Sequence, residues 1–228
     1  GSASGLSVAA DWTAESDQIS AELGYSVATA GDVNGDGYAD IIIGVRDYDN
    51  GQNNEGAAFV YHGSASGLSV AADWTAESDQ ADAEFGWSVA TAGDVNGDGY
   101  SDVVVGAWYY DNGEIDEGRA YVYHGSASGL SVAADWTAES DQISAWFGYS
   151  VATAGDVNGD GYSDVVVGAE SFNNNEANEG RTFLYAGAAA GLNTSSNWTA
   201  ESDQATAYFG RSVSTAGDVN GDGYSDVI

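Results

Sequence analysis

The sequence predicts an all-β protein built from the four-stranded antiparallel blades of a partial β-propeller. Three observations carry that expectation. The chain repeats with a period of 62 residues: "GSASGLSVAADWTAESDQ" begins at Gly1, Gly63 and Gly125, and a drifted copy, "GAAAGLNTSSNWTAESDQ", begins at Gly187. Each complete repeat holds four short apolar segments separated by the turn formers Gly, Asn, Asp and Ser. No segment has the length and 3.6-residue period of a substantial helix. A four-stranded unit at constant spacing is the signature of a propeller blade. Propeller repeats commonly run nearer about 40–50 residues, so the additional length falls in loops.

In the second repeat, Gly86 to Ala92 is the first strand and Asp102 to Ala107 the second, where the unbroken Val103, Val104 and Val105 predict burial on both faces. Arg119 to His124 ("RAYVYH") makes the third strand and Ala134 to Glu139 ("ADWTAE") the fourth. The chain reads as one region, 1–228, of repeats 1–62, 63–124, 125–186 and a truncated 187–228. It begins at the turn before an outer strand and stops within a second strand, so a lone outer strand around Trp12, three full blades and half of another are expected, about 3.5 blades in all. An open arc exposes strand edges. Completion by self-association or by the remainder of a longer chain is therefore expected.

Composition bounds the partners. The chain carries 36 acidic residues against four arginines and no lysine, a formal charge of −32. A compact fold tolerates that only if cations or salty solvent relieve the repulsion. Nucleic acid and anionic membranes are poor partners, because binding them depends on basic residues. With no cysteine, neither disulfides nor thiolate metal sites are available. No apolar run approaches the roughly 18 residues of a membrane span, and no signal peptide is visible, so membrane insertion is not expected. A content of 43% hydrophobic and 12% aromatic residues is enough to build a core despite the charge.

The most regular motif is "GDVNGDGY", present once per repeat. With Asp32 as position 1, Asp32, Asn34, Asp36 and Asp40 place oxygen side chains at positions 1, 3, 5 and 9, and Gly37 at position 6 permits a sharp turn. Ca²⁺ takes six to eight oxygens at roughly 2.3–2.6 Å, and alternating positions on a tight loop converge them, with the Tyr38 carbonyl contributing at position 7. The set recurs as Asp94, Asn96, Asp98, Tyr100 and Asp102, as Asp156, Asn158, Asp160, Tyr162 and Asp164, and as Asp218, Asn220, Asp222, Tyr224 and Asp226, so four Ca²⁺ are expected. An EF-hand would need Glu at position 12 and flanking helices. Position 12 is Ile43, Val105 or Val167, inside a strand, so this is a calcium loop between β-strands with the position-9 Asp as the expected bidentate carboxylate.

The segments "FGWSVATAGDVNGDGYSDVVVGA" (Phe85 to Ala107) and "FGYSVATAGDVNGDGYSDVVVGA" (Phe147 to Ala169) resemble FG-GAP repeats, the propeller blades of integrin α subunits and of many bacterial extracellular proteins. The resemblance covers essentially the whole chain. It implies a metal loop between the first and second strands of each blade, calcium ligands on the positions named above, an extracellular or cell-surface location, and a binding or adhesion role. The chain departs from the pattern at Leu23-Gly24, which replaces Phe-Gly, and in lacking any proline, and every repeat keeps its loop.

Differences among the repeats point to a second region. The turns carrying "GDVNGDGY" and "GSASGL" share one face and hardly vary. On the other face "VRDYDNGQNNEG", "AWYYDNGEIDEG" and "AESFNNNEANEG" diverge, as do the crossings "ISAELGY", "ADAEFGW", "ISAWFGY" and "ATAYFGR". Arg46, Trp108, Tyr109, Tyr110, Trp146 and Arg211 are the candidates there for contact with a protein or glycan, since exposed aromatics and arginine favour recognition. Neutral drift with packing between blades is the alternative. No nucleophile-base-acid set or phosphate loop is recognisable, so the chain is not read as an enzyme. A self-assembling surface or filament component, and part of a secreted hydrolase or lyase, are the competing functional classes.

Overall fold

The computed structural model describes residues 6–228, so the turn that opens the first repeat, at residues 1–5, lies outside it. Strands β1 (Leu23–Gly31), β2 (Asp40–Val45), β3 (Ala57–Tyr61) and β4 (Trp74–Glu77) form one antiparallel sheet in sequence order. β5 (Ser88–Gly93), β6 (Asp102–Ala107), β7 (Arg119–Tyr123) and β8 (Trp136–Glu139) form the second in the same order. β9 (Phe147–Gly155), β10 (Asp164–Ala169), β11 (Arg181–Tyr185) and β12 (Trp198–Glu201) form the third, and β13 (Thr215–Gly217) pairs with β14 (Asp226–Val227) in the last. The described residues contain no helix. The protein is a partial β-propeller of open four-stranded sheets.

The core lies between consecutive sheets. Inner strands β1, β5, β9 and β13 pack one against the next. One apolar cluster joins Ile42 and Val60 of the first sheet to Val103, Val105 and Tyr121 of the second, and another joins Val104 and Val122 to Val165, Val167 and Phe183 of the third. A strand in mid-sheet with a neighbouring sheet on each side has no solvent face, which is why the second strand of a blade can run Val-Val-Val. Phe85 and Phe147 are fully buried at the blade junctions, and Phe85 meets Tyr121 edge-on with centroids 5.1 Å apart.

Hydrogen bonds repeat across each junction. Ser26 Oγ donates to the Gly86 carbonyl at 2.7 Å, Ser88 Oγ to Gly148 at 2.8 Å, and Ser150 Oγ to Gly210 at 2.7 Å. Trp74 Nε1 donates to the Ser131 carbonyl at 2.8 Å and Trp136 Nε1 to Asn193 at 2.9 Å. These outer-strand tryptophans are packing residues, each edge-on to a tyrosine of the next sheet.

The lone outer strand expected around Trp12 is not formed. Trp12 Nε1 donates to the Ser69 carbonyl at 2.8 Å and its ring packs on Tyr61, as its counterparts do, yet the segment carries no strand ladder. A ladder needs a third strand beside it, and among the described residues none lies there.

The turns sort as expected. The amide of Gly63 reaches Asp40, so the acidic loop and the "GSASGL" turn meet on one face. On the other face, Gln80 of the crossing bonds Asp111 of the β6–β7 loop in both directions, at 2.9 and 2.7 Å.

Gly106 sits where the Gly148 carbonyl of the next blade abuts β6, and any Cβ there would collide with it. Gly106→Ala is expected to cost about 1–3 kcal/mol through overpacking. A chemical denaturation midpoint equal to that of the parent would contradict this close approach.

Candidate functional site

Each acidic loop is organised by its first aspartate. Asp32 Oδ1 accepts the amides of Gly35 at 2.7 Å and Asp36 at 3.1 Å, and Oδ2 accepts Gly37 at 2.8 Å. Asn34 Oδ1 accepts the Asp36 amide at 3.0 Å, and Asp36 Oδ1 accepts that of Tyr38 at 2.9 Å. Gly35 and Gly37 have φ of +74° and +89°, the left-handed region in which a side chain would be strained. The same bonds recur around Asp94, Asp156 and Asp218. At Asp218 the loop amides hold the carboxyl below its usual range.

The position-9 aspartate is placed differently from the other three side chains. Asp102 is fully buried, and its two oxygens accept the amides of Val95 and Gly125, each at 2.8 Å. Asp40 and Asp164 make the matching pairs with Val33 and Gly63, and with Val157 and Gly187. Asp226 holds Val219 at 3.0 Å. Burial pushes the Asp102 carboxyl up to about 6, against the opposing pull of its two amides. Whether these loops fit a hard cation is decided by the donor set. It is all oxygen, and an ionised carboxylate has about four lone-pair sites, so the amide bonds leave acceptor capacity on every aspartate. The residues fit Ca²⁺.

On the opposite face the variable positions gather into an aromatic cluster. Trp87 lies 4.7 Å from Tyr25, 4.5 Å from Trp108 and 5.2 Å from Tyr149 between ring centroids. Tyr109 stacks on Trp108 at 3.6 Å, and Trp146 meets Trp108 edge-on at 4.9 Å. Arg46 lies over Tyr25 at 4.5 Å while its Nε bonds Glu22 at 2.8 Å. Arg211 lies 5.8 Å from the Tyr149 ring and 3.4 Å from the buried Glu170. Burial raises the carboxyl of Glu84, opposed by its bond from Trp108 Nε1, and raises that of Glu170, opposed by Arg211. Trp146 Nε1 is buried without a hydrogen-bond partner. The rings pack on one another, with Trp108 buried among them and Glu170 buried beside Arg211, while Tyr25 stays partly exposed at the edge of the cluster.

Of the six residues singled out on this face, Arg46, Trp108, Tyr109 and Trp146 come together, and Arg211 joins through Tyr149. Tyr110 sits apart, beneath Arg119 at 4.1 Å and against Tyr121. Tyr25, Trp87 and Tyr149 were not singled out from sequence. They share one repeat position with Arg211, directly after the glycine of Leu-Gly or Phe-Gly, and that position is aromatic in three units. Also outside the motifs are two carboxylate triads, Glu55 with Glu77 and Asp79, and Glu117 with Glu139 and Asp141, whose oxygens lie within 4.8 Å of one another.

With this geometry in hand, the comparisons with known proteins are consistent. The model of the FG-GAP repeat matches residues 23–61, 85–123, 147–185 and 209–228. Integrin alpha-6 of Homo sapiens is 35% identical over 159 residues, which cover 67% of this chain and 13% of that protein. Integrin alpha-PS2 of Drosophila melanogaster is 36% identical over 167 residues, 68% of this chain and 12% of its own length. Integrin alpha-V of Gallus gallus is 37% identical over 164 residues, 67% and 15% respectively. The chain therefore spans a small part of the length of these relatives.

Asp102→Asn leaves one of two buried amides facing an NH₂ group, so it is expected to cost about 1–3 kcal/mol even without metal. Asp98→Asn, on the exposed rim, is expected to stay within about 0.5 kcal/mol in the same metal-free state. Equal unfolding midpoints for the two variants in chelator would refute the separate role given to the buried aspartate.

Proposed function

The chain belongs to the FG-GAP repeat family, and from that premise we propose that it is a calcium-stabilised, extracellular binding or adhesion module whose aromatic face takes a protein or carbohydrate ligand. In this reading one Ca²⁺ per repeat is held by the loop oxygens of Asp32, Asn34, Asp36, Tyr38 and Asp40 and their counterparts. The cation neutralises the acidic loop and locks the two turns of its face. With a Kd of ~10⁻⁴ M and ~10 mM calcium, mass action supplies on the order of 2.7 kcal/mol per site, against a typical total stability of ~5–15 kcal/mol.

The observation that carries the ligand reading is the continuous cluster of Tyr25, Trp87, Trp108, Tyr109, Trp146 and Tyr149, flanked by two of the four arginines. Aromatic and arginine side chains supply most of the energy at recognition surfaces, and rigid scaffolds place such groups on variable loops. The integrin alpha relatives support an adhesion-related role. Completion of the open sheets by another copy or by a longer chain belongs to the same reading.

The chain, immobilised in calcium, should retain at least one member of a panel of glycans and extracellular-matrix proteins. The double variant Trp87→Ala and Tyr109→Ala is expected to weaken that retention at least about 10-fold, while Ser126→Ala on the loop face leaves it unchanged. Retention that ignores the aromatic pair and is lost with Ser126 would move the ligand to the other face.

A further inference from the structure

The three complete blades carry the same aromatic pair at their outer edge, and in two of them an arginine lies on it. In the second blade the Arg119 guanidinium sits 4.1 Å from the Tyr110 ring and 5.7 Å from Tyr121, and it pairs with Glu139. In the third, Arg181 lies 4.2 Å from Phe172 and 5.9 Å from Phe183, with its Nε 2.9 Å from Glu201. The first blade has Ala57 in this place. The rest of the arrangement is kept. Tyr48 and Phe59 stand edge-to-face at 5.6 Å, as Tyr110 and Tyr121 do at 6.1 Å. Asn50 Nδ2 holds both oxygens of Glu77, at 2.8 and 2.9 Å, as Asn112 holds Glu139 at 2.7 Å.

The missing side chain leaves room. A cavity of about 300 Å³ is lined by Tyr48, Asn50, Ala57, Phe59, Glu77 and Asp79. The corresponding cleft of the second blade does not extend to Tyr110, Asn112 or Tyr121, where Arg119 lies. The vacated place is also anionic. Glu77 and Asp79 both line it, and their carboxylates lie within 4.8 Å of one another. The chain has no lysine, and its four arginines, Arg46, Arg119, Arg181 and Arg211, are engaged elsewhere.

We propose that the slot at Ala57 is a receptor site for a guanidinium group from outside the chain. Its planar face stacks on Tyr48 and its N–H fork pairs with Glu77, as Arg119 does internally in the next blade. Guanidinium suits the slot because it satisfies an aromatic face and a carboxylate together, which a compact ammonium does not. The site is independent of the acidic loops and of the aromatic face, so it stands whether or not those bind calcium and a ligand.

The test is a titration of the calcium-loaded chain with acetyl-Gly-Arg-Gly-amide, its citrulline counterpart and free L-arginine, read by NMR shifts and calorimetry. Saturable binding of the arginine peptide, none of the citrulline peptide, at least about 10-fold weaker binding to Glu77→Gln, and none to Ala57→Arg support the site. Ala57→Arg should melt no lower than the parent, because two sister blades already house that side chain. Binding of free arginine as tight as the peptide assigns the slot to the small molecule, and tighter peptide binding assigns it to a protein partner. Equal binding of citrulline, or undiminished binding to both variants, would overturn the proposal. So would displacement of the peptide by added calcium, which would make the triad a metal site.

Discussion

The constraint on which each blade depends is the burial of one aspartate carboxylate. Asp102 is wholly out of solvent, and the amides of Val95 and Gly125 meet its two oxygens. An ionised group survives burial only when hydrogen bonds replace its water. These two come from the entry of the acidic loop and from the turn after the third strand, so one carboxylate registers both turns against the second strand. That gives a physical reason for "GDVNGDGY" and "GSASGL" to vary so little among the repeats: they are the two halves of one clasp. Burial also raises the Asp102 carboxyl, so the metal-free clasp holds its negative charge under strain that a nearby cation would relieve.

The clasp links neighbours as well. The Ser101 hydroxyl and amide meet Asp32 of the preceding blade, and Ser163 meets Asp94 in the same way. With the serine and tryptophan bonds at each junction, this leaves residues such as Gly106 no freedom. The opposite face has its own buried carboxylates, Glu55 and Glu117, each accepting a loop amide, yet other residues of that face vary in a coupled way. Glu84 pairs with Trp108 in one unit, while the next has Trp146 and Glu170 at the same two positions, and the first has Glu22 and Arg46.

Much of this was legible in the sequence because the repeat displays it several times. The second strand, Asp102–Ala107, could be read to the residue, since three valines between turn formers have one reading. The acidic loops were legible from spacing alone. What escaped was whatever depends on sheets meeting in space. The outer segment at Trp12 looks like its sister strands, yet a ladder is a property of pairs. Asp40, Asp102 and Asp164 look like further loop ligands, and their burial against Gly63, Gly125 and Gly187 appears only once the third strand returns. Tyr25, Trp87 and Tyr149 close the variable crossings, but their convergence shows only when the inner strands are side by side.

In the proposed function, calcium in the loops completes the buried-aspartate clasp and holds the blades. The most direct measurement is thermal unfolding in excess EDTA, on protein shown to be metal-free, against the same protein in calcium. The expected result is a large fall in the melting temperature, or loss of the cooperative transition, restored when calcium is returned. Superimposable melting curves in the two conditions would contradict it.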